Sequence, residues 1–183
     1  MPTDQPFLDS LTPRPLAREM DVTGFRCNPS IDWFLTQVAH DHHQKRISTV
    51  TCWVTGANIA GYIATSMTVV EISDSTQRGF LGLAATIFRQ GGAHTKRFPA
   101  FLIGMLGVCE RYHRRGLGEH MVKYAIGQAR ALSVDVGCRF VTVDSDPTDE
   151  ALGLYRKMDF RAIEGQDKKR ATMWMYYDIG HRV

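Results

Sequence analysis

The residues best suited to chemistry are His113-Arg114-Arg115-Gly116-Leu117-Gly118, which follow an apolar run and open a helical pattern. Glycines without a β-carbon let the backbone bend tightly and approach a ligand. A helix starting there presents unpaired amides and a partial positive charge, a combination that binds phosphate without a metal. Arg114 and Arg115 can add charge-assisted hydrogen bonds. The bland alternative is a basic glycine turn with no ligand. Two better-known phosphate loops are absent. No Gly-x-x-x-x-Gly-Lys-Ser/Thr occurs, and Gly116-Leu117-Gly118 lacks the three-glycine spacing of a dinucleotide fingerprint.

Other reactive side chains carry less on their own. Tyr155 reads as a helix tyrosine packed on a sheet. Glu110 and Asp144 are candidate bases, although each also reads as a surface or turn carboxylate. His40, His42 and His43 crowd a helix end without a cysteine partner, which favours a solvated or capping face over a metal site, so no metal is expected. Cys27, Cys52, Cys109 and Cys138 are too far apart in sequence for a metal-ligand pattern and read as free thiols. Trp33 and Trp53 suit a core or a substrate wall.

The elements that must position these groups follow from spacing. Asn28-Pro29-Ser30 is a helix start, and Ile31, Phe34, Leu35, Val38 and His42 continue it to about Lys45. β-Branched residues mark strands over 49–54 and 59–72, joined by a turn at Gly56-Ala57-Asn58. Residues 73–97 are least legible, with a short helix expected around Phe80 to Phe88 that either lines a substrate entrance or packs on the sheet. Ala100 to Val108 reads as a strand buried on both faces. A helix over about 116–133, a strand at 140–143, a helix over 148–158 begun by Thr148 or Asp146, a weak strand at 161–163 and a final strand over 171–177 complete the order. The fold class is α/β, a mixed layer architecture. Residues 1–20, with four prolines, are expected to be an irregular lead-in to a single domain spanning 1–183.

The 183 residues suit one ordinary domain, and 44% apolar with 22% charged residues excludes a disordered chain. The longest apolar run is too short to span a membrane and no signal peptide is evident, so a cytoplasmic protein without a membrane role is expected. Net charge is +3, too small to announce a nucleic-acid binder. Between Arg89 and Arg115, however, six basic residues face only Glu110, so part of the surface is markedly electropositive. Arg89, Lys96 and Arg97 are candidate contacts to RNA phosphates, or plain solvated surface.

At this point the sequence resembles the GNAT acetyltransferase superfamily over roughly residues 20–180. The family's coenzyme-A loop, Arg/Gln-x-x-Gly-x-Gly/Ala, is matched by His113 to Gly118, with His113 replacing the usual first residue. Asp149 to Phe160 looks like the family's Ala-x-x-Phe-Tyr-x-x-x-Gly-Phe ending: Leu154 stands for Phe, Tyr155 and Phe160 match, and Asp159 replaces Gly. Gly24 to Leu35 further resembles the opening of acetyltransferase toxins of toxin–antitoxin pairs, and Phe98 to Val108 and Cys138 to Asp144 resemble their core strands. The resemblance implies the GNAT fold, a mixed, mostly antiparallel sheet flanked by helices. It implies acetyl-CoA as co-substrate, held by Leu106, Gly107, Val108, His113, Arg114, Arg115, Gly116, Leu117, Gly118 and Glu119. A backbone amide among Leu106, Gly107 and Val108 would polarise the thioester, and Tyr155 would protonate the leaving thiolate as general acid.

The implied acceptor is the α-amine of an aminoacyl-tRNA, with a small DNA-binding antitoxin as partner and a homodimer as a further expectation. An α-amine titrates at about 7.7–8.0 against about 10.4 for lysine, so the lack of an evident base favours it slightly. A small-molecule or protein amine remains the alternative acceptor, and a catalytically dead coenzyme-binding module the reading from another class.

Overall fold

The computed structural model describes residues 3–71, 97–163 and 171–180. Among them lie helix α1 (Gln5–Ser10), strand β1 (Thr12–Pro15), helix α2 (Pro29–Trp33), a π-helical turn (Phe34–Val38), helix α3 (Ala39–Gln44) and strands β2 (Thr49–Thr55), β3 (Asn58–Glu71) and β4 (Arg97–Val108). Helix α4 (Leu117–Asp135), β5 (Phe140–Ser145), α5 (Asp149–Lys157), β6 (Arg161–Ala162) and β7 (Met173–Asp178) follow. The helix expected around residues 80–88 falls outside the described residues.

The strands form one mixed, mostly antiparallel sheet in the order β1-β2-β3-β4-β5-β7-β6, flanked by helices. β1–β2, β2–β3, β5–β7 and β6–β7 are antiparallel. The Cys109 amide donates to Ala60 at the start of β3, so the end of β4 lies beside that start and the two strands run oppositely. The Arg139 amide donates to Pro99, which sets the starts of β4 and β5 side by side and makes that pair parallel.

The chain clusters into two compact units, Met1–Ser66 with Ile103–Gly127, and Met67–Leu102 with Gln128–Val183. The first has a core of Phe25, Phe34, Leu35, Val50, Cys52 and Tyr62 with their neighbours. Trp53 is fully buried there, edge-on to Tyr124 at 5.0 Å and to His120 at 6.1 Å. The second buries Val70, Phe98, Ala100, Phe140 and Tyr176 together.

Local chemistry explains where elements start. Asn28 caps α2 by accepting the Ile31 amide at 3.0 Å, Pro29 occupies the first turn, and the Asp32 carboxylate reaches back to the Cys27 amide at 2.8 Å. The helix expected from Ile31 to Lys45 is interrupted by the π-helical turn, in which the Ala39 amide reaches the Phe34 carbonyl. Side chains satisfy carbonyls around this widened turn: Tyr62 Oη donates to the Ile31 carbonyl at 2.8 Å and Thr36 Oγ1 to that of Asp32 at 2.9 Å.

Residues 3–20 are more regular than an irregular lead-in. Asp4 caps α1 by accepting the Phe7 amide, with Pro6 in the first turn, and Phe7, Leu8 and Leu11 are buried. β1 holds Pro13 and Pro15 because it is the edge strand, where a missing amide leaves no ladder partner unmet. All four cysteines are free. No helix among the described residues is long and apolar enough to cross a membrane.

Candidate active site

β4 ends at Val108 and the chain turns through a short 3₁₀ helix, Glu110–Tyr112, before α4 begins at Leu117. Two residues of the turn are left-handed, Arg114 at φ 59° and Gly116 at φ 88°. Glycine accepts this conformation freely, whereas in arginine it costs about 1–2 kcal/mol. The His120 amide closes onto the Gly116 carbonyl at 3.1 Å, so the amides of Leu117 and Gly118 belong to the open end of α4. The turn therefore presents helix-end donors, as a phosphate site requires.

Its side chains are already organised. His113 Nε2 lies 2.8 Å from the Val108 carbonyl and ties the turn back to its strand. Leu117 is buried, while Gly118 and Glu119 are partly buried in the first helical turn. Arg114 is exposed. Arg115 is paired with Asp4, whose Oδ2 accepts Nε at 2.8 Å and lies 2.7 Å from Nη2. This pairing holds the Asp4 carboxyl below its usual range. The Arg115 guanidinium also lies 3.6 Å from the centre of the Phe7 ring.

The end of β4 meets the expected oxyanion donors with a clear alternation. The Cys109 amide points to β3, so that of Gly107 does too, and those of Leu106 and Val108 face the other edge. Burial pushes the Cys27 thiol upward, opposed in part by the Val108 backbone beside it. Gly107 has a packing reason for lacking a side chain: a β-carbon there would lie 2.5 Å from Ile31 Cγ2 and 3.1 Å from the Tyr62 ring.

Within the second unit, Thr148 Oγ1 accepts the Ala151 amide at 3.3 Å and starts α5, which carries Tyr155. Tyr155 is buried, its ring 5.4 Å from Phe160, which in turn lies 5.7 Å from Tyr177. Arg130 Nη2 donates to the Tyr177 hydroxyl at 2.9 Å. Burial, with the nearby Asp146 charge, pushes the Tyr155 hydroxyl well above the ordinary tyrosine range and keeps its proton in place. Asp159, standing where the motif has glycine, adopts φ 62° and ends the helix. Asp and Asn tolerate this region best among non-glycine residues.

The remaining candidates are dispersed. Glu110 is exposed, and Asp144 lies half-buried on β5 opposite Trp174. Arg97 is exposed at the start of β4, and Arg89 and Lys96 lie outside the described residues. His43 Nδ1 accepts the Val50 amide at 3.0 Å and His42 packs edge-on to Phe34, so two of the three clustered histidines are structural. Among the described residues no group of His, Cys, Asp and Glu could hold a metal. Asp4 and Phe7 escaped the sequence reading because their partners lie more than a hundred positions away, and only the Asp4-x-Pro6 helix start hints at order there.

Comparison with known proteins agrees with this architecture. A relative described as a tRNA-acetylating toxin from Mycobacterium tuberculosis is 28% identical over 151 residues, 81% of this chain and 82% of its own. N-alpha-acetyltransferase 30 from Xenopus laevis is 32% identical over 91 residues, 45% of this chain and 32% of its own. AtaT in complex with acetyl-methionyl-tRNAfMet shares the fold at a TM-score of 0.75 and 18% identity, covering 93% of this chain and 95% of that one. The acetyltransferase (GNAT) family model matches residues 18–160, most of the sequence, and the chain belongs to that family.

Proposed function

We propose that the protein is an acetyl-CoA-dependent N-acetyltransferase acting on the α-amine of aminoacyl-tRNA, as the toxin of a toxin–antitoxin pair. The observation that carries the coenzyme reading is the turn from Glu110 to Gly118, which ends a core strand, passes through two left-handed residues and opens onto helix-end amides. A related solved structure, AtaTR, is described as bound with AcCoA. The acceptor reading is supported by the tRNA-acetylating relative, whose match covers 81% of this chain and 82% of its own. The two units are then parts of one acetyltransferase domain, and a small antitoxin and a second copy of the chain are its expected partners.

In this mechanism His113, Arg114, Gly116, Leu117, Gly118 and Glu119 hold the diphosphate region, and the Leu106 or Val108 amide polarises the thioester carbonyl. The neutral amine attacks that carbonyl carbon, forming the C–N bond. The C–S bond breaks, Tyr155 gives its proton to the departing thiolate, and the amine's surplus proton passes to water, from which Tyr155 is reprotonated. A second reading, a protein N-terminal α-amine as acceptor, is favoured by the N-alpha-acetyltransferase 30 relative.

The test is incubation of the purified protein with labelled acetyl-CoA and, separately, a set of charged tRNAs and a set of free peptides. Label is expected on the amino acid of one or more charged tRNAs. Transfer to peptide N-termini with none to any aminoacyl-tRNA would favour the second reading instead.

A further inference from the structure

Thr3 to Leu11 packs on the glycine turn, although Asp4 and Arg115 lie 111 positions apart. Asp4 uses every polar group it has. Its Oδ2 takes Nε and Nη2 of Arg115, its Oδ1 accepts the Phe7 amide at 3.2 Å, and its own amide donates to the Arg115 carbonyl at 3.3 Å. Phe7 stacks on Tyr112 at 5.4 Å between ring centres, 13° from parallel, and also lies under the Arg115 guanidinium. Thr3 fills the space beside Gly116: a β-carbon there would sit 3.0 Å from Thr3 Cγ2. The segment thus grips the turn at Tyr112, Arg115 and Gly116, on both sides of the left-handed Arg114.

A conformation that costs energy persists only where its surroundings over-determine it. The grip supplies that determination. Phe7, Leu8 and Leu11 are buried, so the segment is a fixture of the core rather than a loosely held flap. We propose that Asp4 and Phe7 are positioning residues for the coenzyme diphosphate, clamping the turn from Tyr112 to Gly116 in the shape that presents the amides of α4. The inference rests on the coenzyme reading above. It gives Arg115 a role distinct from direct phosphate contact, because its guanidinium is the handle by which the turn is held.

The test measures acetyl-CoA affinity by calorimetry and steady-state kinetics on the intact protein. Asp4→Asn keeps an oxygen to cap α1 but removes the ion pair, and Phe7→Leu keeps an apolar side chain but removes the stack. Each is expected to raise Kd and KM for acetyl-CoA by about three- to tenfold, with kcat at saturation changed by less than about twofold. Asp4→Glu should recover part of the affinity. Gln5→Ala, which removes a side chain that bonds Asp9 on the same helix, should bind as the wild type does. Unchanged affinity in both Asp4→Asn and Phe7→Leu overturns the clamp, as does tighter binding by Asp4→Asn, which would make Asp4 a competitor for Arg115. In both cases the wild type still binds, whereas a wild type that ignores acetyl-CoA overturns the coenzyme reading and the clamp with it.

Discussion

At the scale of single residues, Tyr155 is the one whose environment speaks to chemistry. A general acid must carry its proton when the leaving group departs, and burial beside Asp146 keeps this hydroxyl protonated. Its folded-state value lies above the usual tyrosine value near 10, so its proton is retained through neutral and mildly alkaline pH and is lost only above that range. Tyr155→Phe should lower kcat by about a hundredfold while leaving acetyl-CoA Kd within about twofold. The wild-type rate should show no loss near pH 10 from this group. A Phe variant of equal kcat would remove Tyr155 from the mechanism. The proposed role rests on the motif, since a lone helical tyrosine reads as packing. The ring contacts with Phe160, and of Phe160 with Tyr177, show that packing is also real.

At the scale of elements, β4 and α2 depend on each other through Gly107. Methyl addition at Gly107 would overlap Ile31, which packs against the core of the first unit, and crowd Tyr62 and Phe25 within that core. Gly107→Ala should therefore cost about 1–3 kcal/mol in unfolding free energy, read as a lower denaturant midpoint at unchanged slope. An unchanged midpoint would mean that α2 shifts without cost, and this account of the glycine would be wrong. The sequence marks Gly107 only as a coenzyme contact implied by the resemblance, because a strand glycine signals close contact without naming the neighbour. Helix starts were more readable: Asn28 and Thr148 act through amides three positions away, a distance that local pattern can see. The π-helical turn is not readable, since the Tyr62 hydroxyl that meets the Ile31 carbonyl just before it comes from a strand 31 positions later. The same holds for α1, where four prolines masked an Asp4 cap and a buried apolar face.

At the scale of the whole molecule, the net charge of +3 understates a local excess of five positive charges between Arg89 and Arg115. Part of that excess is internally committed, because Arg115 is neutralised by Asp4. Arg114 and Arg97 are exposed, and Arg89 and Lys96 lie outside the described residues. A polyanionic acceptor should feel that charge. Each phosphate neutralised on a single strand contributes a slope of about 0.7 to the fall of log affinity with log salt. For a charged tRNA, three phosphate contacts would give a slope of about 2, whereas a short aminoacyl ester with no phosphates should show almost none. Replacing Arg89, Lys96 and Arg97 together by glutamine should flatten the tRNA slope toward that of the ester. Acetyl-CoA affinity, assigned by the proposal to the turn at Gly116, should change much less. The measurement is KM for both acceptors at several salt concentrations, with and without the triple substitution. Equal, shallow slopes for tRNA and ester would show that the basic stretch does not bind RNA, and would move the acceptor toward a small or protein amine.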